Sequence, residues 1–128
     1  MTDSIYKVLD FHKKFDCFYQ SRPSVEVRGD TEVLRHRLLQ EEVNELFEAQ
    51  SGRDIVAIAD ALGDILYITF GTACTYGLQD CLEKVFNEIH DSNMSKLGAD
   101  GKPVRREDGK ILKGPNYFKP NIKKILEG

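Results

Sequence analysis

The sequence predicts an all-α fold: an antiparallel four-helix bundle completed by oligomerisation, with a short β-hairpin near the C-terminus. Three observations lead there. Apolar side chains recur at helical spacing in four successive segments. Between Ile55 and Gln79 the only charged residues are Asp60 and Asp64, which marks a central helix. Two short segments flank Asp108-Gly109, a hairpin signal. At 128 residues one domain covers 1–128, with a helical core over about 3–97 and hairpin and tail over 98–128.

Ile5, Val8, Leu9, His12, Phe15 and Tyr19 predict a first helix over residues 3–19, with His12 as a core-edge histidine. "SRPSVEVRGD" breaks the pattern with Pro and Gly and reads as a loop. Asp30 or Thr31 then caps a second helix running to about Gln50, with an apolar arc of Leu34, Leu38, Leu39, Val43, Leu46 and Phe47. "SGRD" is a short turn, and Asp54 caps a third helix to about Tyr76. That helix is long enough to span a membrane, but two aspartates on one face, with Gly63 and Gly71, favour burial in a bundle. Gln79 or Asp80 begins a fourth helix to about Leu97, with Cys81, Leu82, Val85, Phe86 and Ile89 as its arc. Around Asp108-Gly109 a type I′ turn is expected. The prolines of "PNYFKPNIKKILEG" prevent a long closing helix and leave a brief apolar tail of Ile122, Ile125 and Leu126.

The net charge of -3 is unevenly spread, because residues 96–128 hold nine of the 18 Lys and Arg but only four of the 21 acids. An acidic body with a basic tail suits cations inside and a polyanion at the edge, and equally suits two solvated faces. Cys17, Cys74 and Cys81 have neither CxxC nor zinc spacing, and the charged, apolar-alternating start lacks a signal peptide's pattern. A cytoplasmic protein is the expectation.

Glu42 and Glu45 fall inside the apolar arc of the second helix, and Glu41 sits on its edge. Asp60 and Asp64, four residues apart, form one acidic spot on the next helix. Antiparallel packing of the two would gather these carboxylates, which repel unless protonated or bridged by a cation. Oxygen-only ligation favours Mg²⁺, with Mn²⁺ as a substitute, and no His or Cys cluster supports zinc. Asn93 and Lys96 project into the arc of the fourth helix and suit a ligand bearing phosphate or base: Lys96 for charge, Asn93 for hydrogen bonds. Tyr67, on the face of Asp60 and Asp64, and Phe70 are candidates to stack on a base, although aromatics at this spacing commonly fill a core. A di-iron bundle would need Glu-x-x-His on two helices, and neither copy is here. GxSxG, Walker A and GxGxxG are absent too.

"EEVNE" (Glu41, Glu42, Glu45) followed by "DALGDILY" resembles the MazG-like branch of the all-α nucleoside triphosphate pyrophosphohydrolases, whose pattern is Glu-Glu-x-x-Glu and then Glu-x-x-Asp. Asp64 takes the Asp position. Ala61 stands where the family has Glu, and Asp60, one residue earlier, is the substitute. "EIHDSNMSKLGADGKPVRREDGKILKGPNYFKP" looks like the tail of small phage and bacterial members. The resemblance implies cleavage between the α- and β-phosphates of a (deoxy)nucleoside triphosphate, giving monophosphate and pyrophosphate, as a house-cleaning activity. It implies Mg²⁺ held by Glu41, Glu45, Asp60 and Asp64, Glu42 as the base that orients water, and Lys96 with Arg105 taking charge on the pyrophosphate. It also implies a homodimer or homotetramer. The competing reading is a non-catalytic helical oligomer that holds a structural cation and binds a protein or nucleic acid. The nucleic-acid version is weak, because Tyr117 and Phe118 are the only aromatics in the basic run.

Overall fold

The computed structural model describes all 128 residues, with five helices and one two-stranded sheet. The elements are α1 (Thr2–Lys14), α2 (Gly29–Ser51), α3 (Ile55–Thr75), α4 (Leu82–Met94), β1 (Val104–Arg105), β2 (Ile111–Leu112) and α5 (Ile122–Glu127). The all-α expectation holds, hairpin included. The chain forms two compact units, Met1–Asp80 and Cys81–Gly128.

In the first unit α3 is the centre, packed by α2 and by α1. Its start is the one expected: Asp54 accepts from the backbone N–H groups of Val56 and Ala57, at 3.1 and 3.2 Å, which satisfies two donors a helix start leaves free. Ile5, Val8, Leu9 and His12 of α1 and Phe70, Ala73, Cys74 and Thr75 of α3 are the buried groups at one end of the unit. The Cys74 thiol approaches the Ile5 carbonyl at 3.9 Å. Phe70 is thus core. Residues 15–28 form a strap over the C-terminal end of α3: Gln20 N–H donates to Cys74 O, Ser24 N–H to Tyr76 O, and the Gln79 side chain to Gln20 O at 2.8 Å.

Four boundaries differ from the expectation. α1 ends at Lys14 rather than about residue 19, because Asp16 takes a left-handed φ of 56° and turns the chain so that Phe18 O meets the His12 ring. α2 starts at Gly29, so Asp30 and Thr31 lie inside its first turn and neither caps it; the Asp30 carboxylate meets the Arg28 guanidinium instead, at 3.0 Å. α4 starts after Cys81 rather than at Gln79 or Asp80, because the Gln79 side chain is buried and committed to the strap.

In the second unit α4 packs on α5. Asn121 N–H donates to Glu88 at 2.7 Å, and the Ser92 hydroxyl to Phe118 O at 2.8 Å. Met94 ends α4, earlier than Leu97, and Lys96 N–H closes a turn on Asn93 O. The hairpin pairs Val104 with Leu112 and Arg105 with Ile111. Its turn is not type I′. That type needs positive φ at both central residues, and here only Gly109 has it, at 88°, while Gly109 N–H bonds Arg106 O and Arg106 N–H bonds Lys110 O. This is a three-residue loop closed by a left-handed glycine. Asp108 keeps its ordinary backbone because its side chain holds the Arg106 guanidinium and the Lys110 N–H. The tail's prolines do limit helix, leaving the six-residue α5 capped by Asn121.

Candidate functional site

Glu42 and Glu45 stand three residues apart on α2, one turn of the same face, and Asp64 meets them from α3. Each offers a carboxylate oxygen, and these oxygens all lie within 4.8 Å of one another. The short link of residues 52–54 folds α3 back along α2, which is why two sequence motifs converge.

The electrostatics of the trio are unbalanced. Glu42 Oε2 is buried and has no hydrogen-bond partner. No lysine or arginine pairs with Glu42, Glu45 or Asp64. Burial, then the hydrogen bond and charge of Glu45, then the charges of Asp64 and Asp60, push the Glu42 carboxyl up to about 7. An orphaned carboxylate oxygen among like charges fits a hard divalent cation, since three oxygen donors and no nitrogen or sulfur donor match Mg²⁺ or Mn²⁺.

Asp60 is exposed and lies outside the trio, but it lines an adjoining recess of about 380 Å³ with Glu45, Glu48, Asp54 and Ala61. Ala61 is 3 % exposed, so the position where the resemblance puts a glutamate is a packed one here, and the acid beside it is one residue earlier. Glu41 is exposed and is not part of the trio. Glu48, one further turn along α2, lines the same recess and continues the three- and four-residue spacing of Glu41 and Glu45.

Tyr67 lines a different cavity, of about 530 Å³, between α1, α2 and α3, where its ring meets Phe11 edge to face at 5.8 Å. Arg35 and His12 line the same cavity. Arg35 stands on the stripe of Leu39, Glu42 and Leu46 at the centre of the α2 apolar arc, and that cation among apolar positions is its signal in the sequence.

Asn93, Lys96 and Arg105 belong to the 81–128 unit. Asn93 is exposed in the last turn of α4; Lys96 follows the helix, half-buried, with its carbonyl accepting Gly114 N–H at 2.9 Å. Arg105 lies on β1 and its guanidinium donates to Gly109 O at 3.2 Å, across its own hairpin.

The family model described as phosphoribosyl-ATP pyrophosphohydrolase matches residues 8–93 of the 128. The match takes in Glu42, Glu45, Asp60 and Asp64 and stops before Lys96 and the hairpin. No curated protein matches the chain.

Proposed function

The chain belongs to the phosphoribosyl-ATP pyrophosphohydrolase family, within the MazG-like all-α NTP pyrophosphohydrolases, and from that premise we propose that it cleaves a nucleoside triphosphate between the α- and β-phosphates. The products are nucleoside monophosphate and pyrophosphate. Membership establishes pyrophosphohydrolase-type chemistry on a phosphoanhydride; the substrate and the ion are our reading.

The observation that carries it is the trio of Glu42, Glu45 and Asp64 with its unpartnered, buried Glu42 oxygen. Glu45 and Asp64 would hold the cation, with the carboxylates of Asp60 in the adjoining recess and of exposed Glu41 adding negative charge around it. A bound Mg²⁺ supplies positive charge that polarises phosphate oxygens and acidifies water. Glu42 orients the attacking water towards the α-phosphorus and takes its proton, a role suited to a carboxyl that titrates near neutrality. For Asn93, Lys96 and Arg105 the support is their sequence chemistry: amide and cationic donors for a polyphosphate.

A homodimer or homotetramer goes with this reading. Phe47, Ile55, Val56, Leu62 and Leu66 all leave α2 and α3 exposed, more apolar surface than a lone chain keeps in water.

The second reading is phosphoribosyl-ATP itself, favoured by the family's description. One assay separates them. The chain, with Mg²⁺ or Mn²⁺, is offered ribo- and deoxynucleoside triphosphates and phosphoribosyl-ATP, and pyrophosphate is resolved from single phosphate. We expect metal-dependent pyrophosphate from a simple triphosphate, lost in Glu45→Ala. Turnover of phosphoribosyl-ATP alone would move the assignment to the second reading, and turnover of neither would refute both.

A further inference from the structure

We propose that His12 and Arg35 form an acid-operated latch in the first unit: a proton on His12 sets two cations side by side and releases the strap of residues 15–28 from the end of α3. The latch is independent of the nucleotide reading and uses side chains outside the acid trio.

His12 joins α1 to the strap. Its ring is 3 % exposed, and Nδ1 donates to Phe18 O at 3.0 Å, since a carbonyl can only accept. Its backbone carbonyl accepts Cys17 N–H at 2.9 Å. Arg35 arrives from α2, half-buried, with Nε donating to Thr72 Oγ1 at 3.2 Å and Nη2 to Ile68 O at 2.8 Å. Both acceptors are on α3 and pin the guanidinium. Arg35 Nη2 and His12 Nε2 each lie within 3.0 Å of the point above Gly71 where any other residue would place a Cβ. The two groups therefore share the space that the glycine leaves open.

No carboxylate pairs with either group. The titratable groups around them are Tyr67 and Cys74 from α3 and Asp16 and Cys17 from the strap. Burial pushes the Cys74 thiol up to about 11, which leaves it uncharged, and Asp16 is exposed. On α1 itself, Lys13 stands over the Tyr19 ring, 5.7 Å from its centre. Burial, opposed by the Phe18 carbonyl and reinforced by the Arg35 charge, holds the His12 pKa below its ordinary value of 6.5.

A protonated ring beside Arg35 needs water, and the strap is the wall that gives way. α1 is fixed by buried Ile5, Val8 and Leu9, and Arg35 by its two bonds, whereas Phe15, Asp16, Phe18 and Tyr19 are exposed. Asp16 also holds a left-handed φ of 56°, a strained backbone that opening relieves. A neutral, buried His12 stabilises the closed strap in full above about pH 6.5, and that contribution is lost as the pH falls from there to the lowered value. Glu42 works in the opposite direction, so the latch is read at the strap rather than in whole-chain melting.

Amide hydrogen exchange of the full chain from about pH 7.5 to about pH 5, beside a nitrogen NMR titration of His12, tests the latch. Protection of the strap amides of Cys17, Gln20 and Ser24 should fall about tenfold per pH unit below 6.5 and level off at the His12 midpoint read by NMR. Ile58, whose N–H bonds Asp54 O at the other end of α3, should keep its protection. Arg35→Met removes the second cation, so His12 should titrate closer to 6.5 and the acid loss at the strap should shrink in step. His12→Asn, which keeps a donor for Phe18 O without a titrating ring, should abolish that loss. A His12 midpoint at or above 6.5, strap protection that ignores pH, an equal loss at Ile58, or a folded Arg35→Met in which neither quantity moves would overturn the proposal.

Discussion

Glu42 concentrates the electrostatic imbalance of the acid trio in one side chain. Its carboxyl is raised from the ordinary range near 4.5 to about 7, by burial first and by Glu45, Asp64 and Asp60 after that. Between those two values the folded chain keeps a proton that the unfolded chain has released, so metal-free stability falls as pH rises through the window. Thermal melts in a chelator should therefore give a lower melting temperature at about pH 8 than at about pH 5. Mg²⁺ should restore the loss at the higher pH, and Glu42→Gln should flatten the slope; a wild-type slope unchanged in Glu42→Gln would place its origin elsewhere. The same variant should retain fold and metal binding yet lose turnover by about a hundredfold or more, the scale of a positioned general base. Steady-state kinetics beside a metal titration check this, and full activity would remove Glu42 from its role. Helical period made Glu42, Glu45 and Asp64 legible in the sequence, because acids inside an apolar arc stand out against what surrounds them. Arg35 broke the same arc and was passed over, since its partners, Thr72 and the Ile68 carbonyl, lie on another helix and only the fold brings them near.

At the level of elements, what was legible is what local chemistry decides. The Asp54 cap of α3 was readable because capping needs only the residues that follow it. Asp54→Ala should cost about 1 kcal/mol, seen as a shifted midpoint in chemical denaturation, and an unshifted midpoint would show that the cap bonds contribute nothing. The C-terminal end of α1 and the start of α4 depart from the local pattern because residues 15–28 and Gln79 are committed to a strap that no local pattern announces. Gly77 is where the strap requires a glycine. Its φ is 71°, and a Cβ there would stand 1.9 Å from the Arg22 carbonyl oxygen. Gly77→Ala should cost more than the 1–2 kcal/mol, roughly, of the left-handed backbone alone, because the strap must also move. Urea denaturation measures it, and a loss well under that range would mean the strap is not held there.

Across the molecule, the exposed apolar side chains of α2 and α3 and the acid trio are two outcomes of one pattern. α3 is apolar almost all round, and a single copy buries only part of it: Ile55 and Val56 are each 75 % exposed, and Phe47 of the neighbouring α2 is 70 % exposed. α3 also has the length and hydropathy to cross a membrane, but its Asp64 is shared with acids of the strongly charged α2. A second copy of the chain is the cover we propose. Light scattering at micromolar concentration should give a mass of two or four chains, and replacing Phe47 and Ile55 together by serine should lower it; a wild-type monomer would refute the assembly. We propose that Glu42, Glu45 and Asp64 direct water to the α-phosphorus of a nucleoside triphosphate. The most direct measurement is turnover with Mg²⁺ in isotopically labelled water, with mass analysis of both products. The label should appear in the nucleoside monophosphate, with unlabelled pyrophosphate beside it and neither product from Glu45→Ala. Label in the pyrophosphate, release of single phosphate, or undiminished turnover by Glu45→Ala would contradict it.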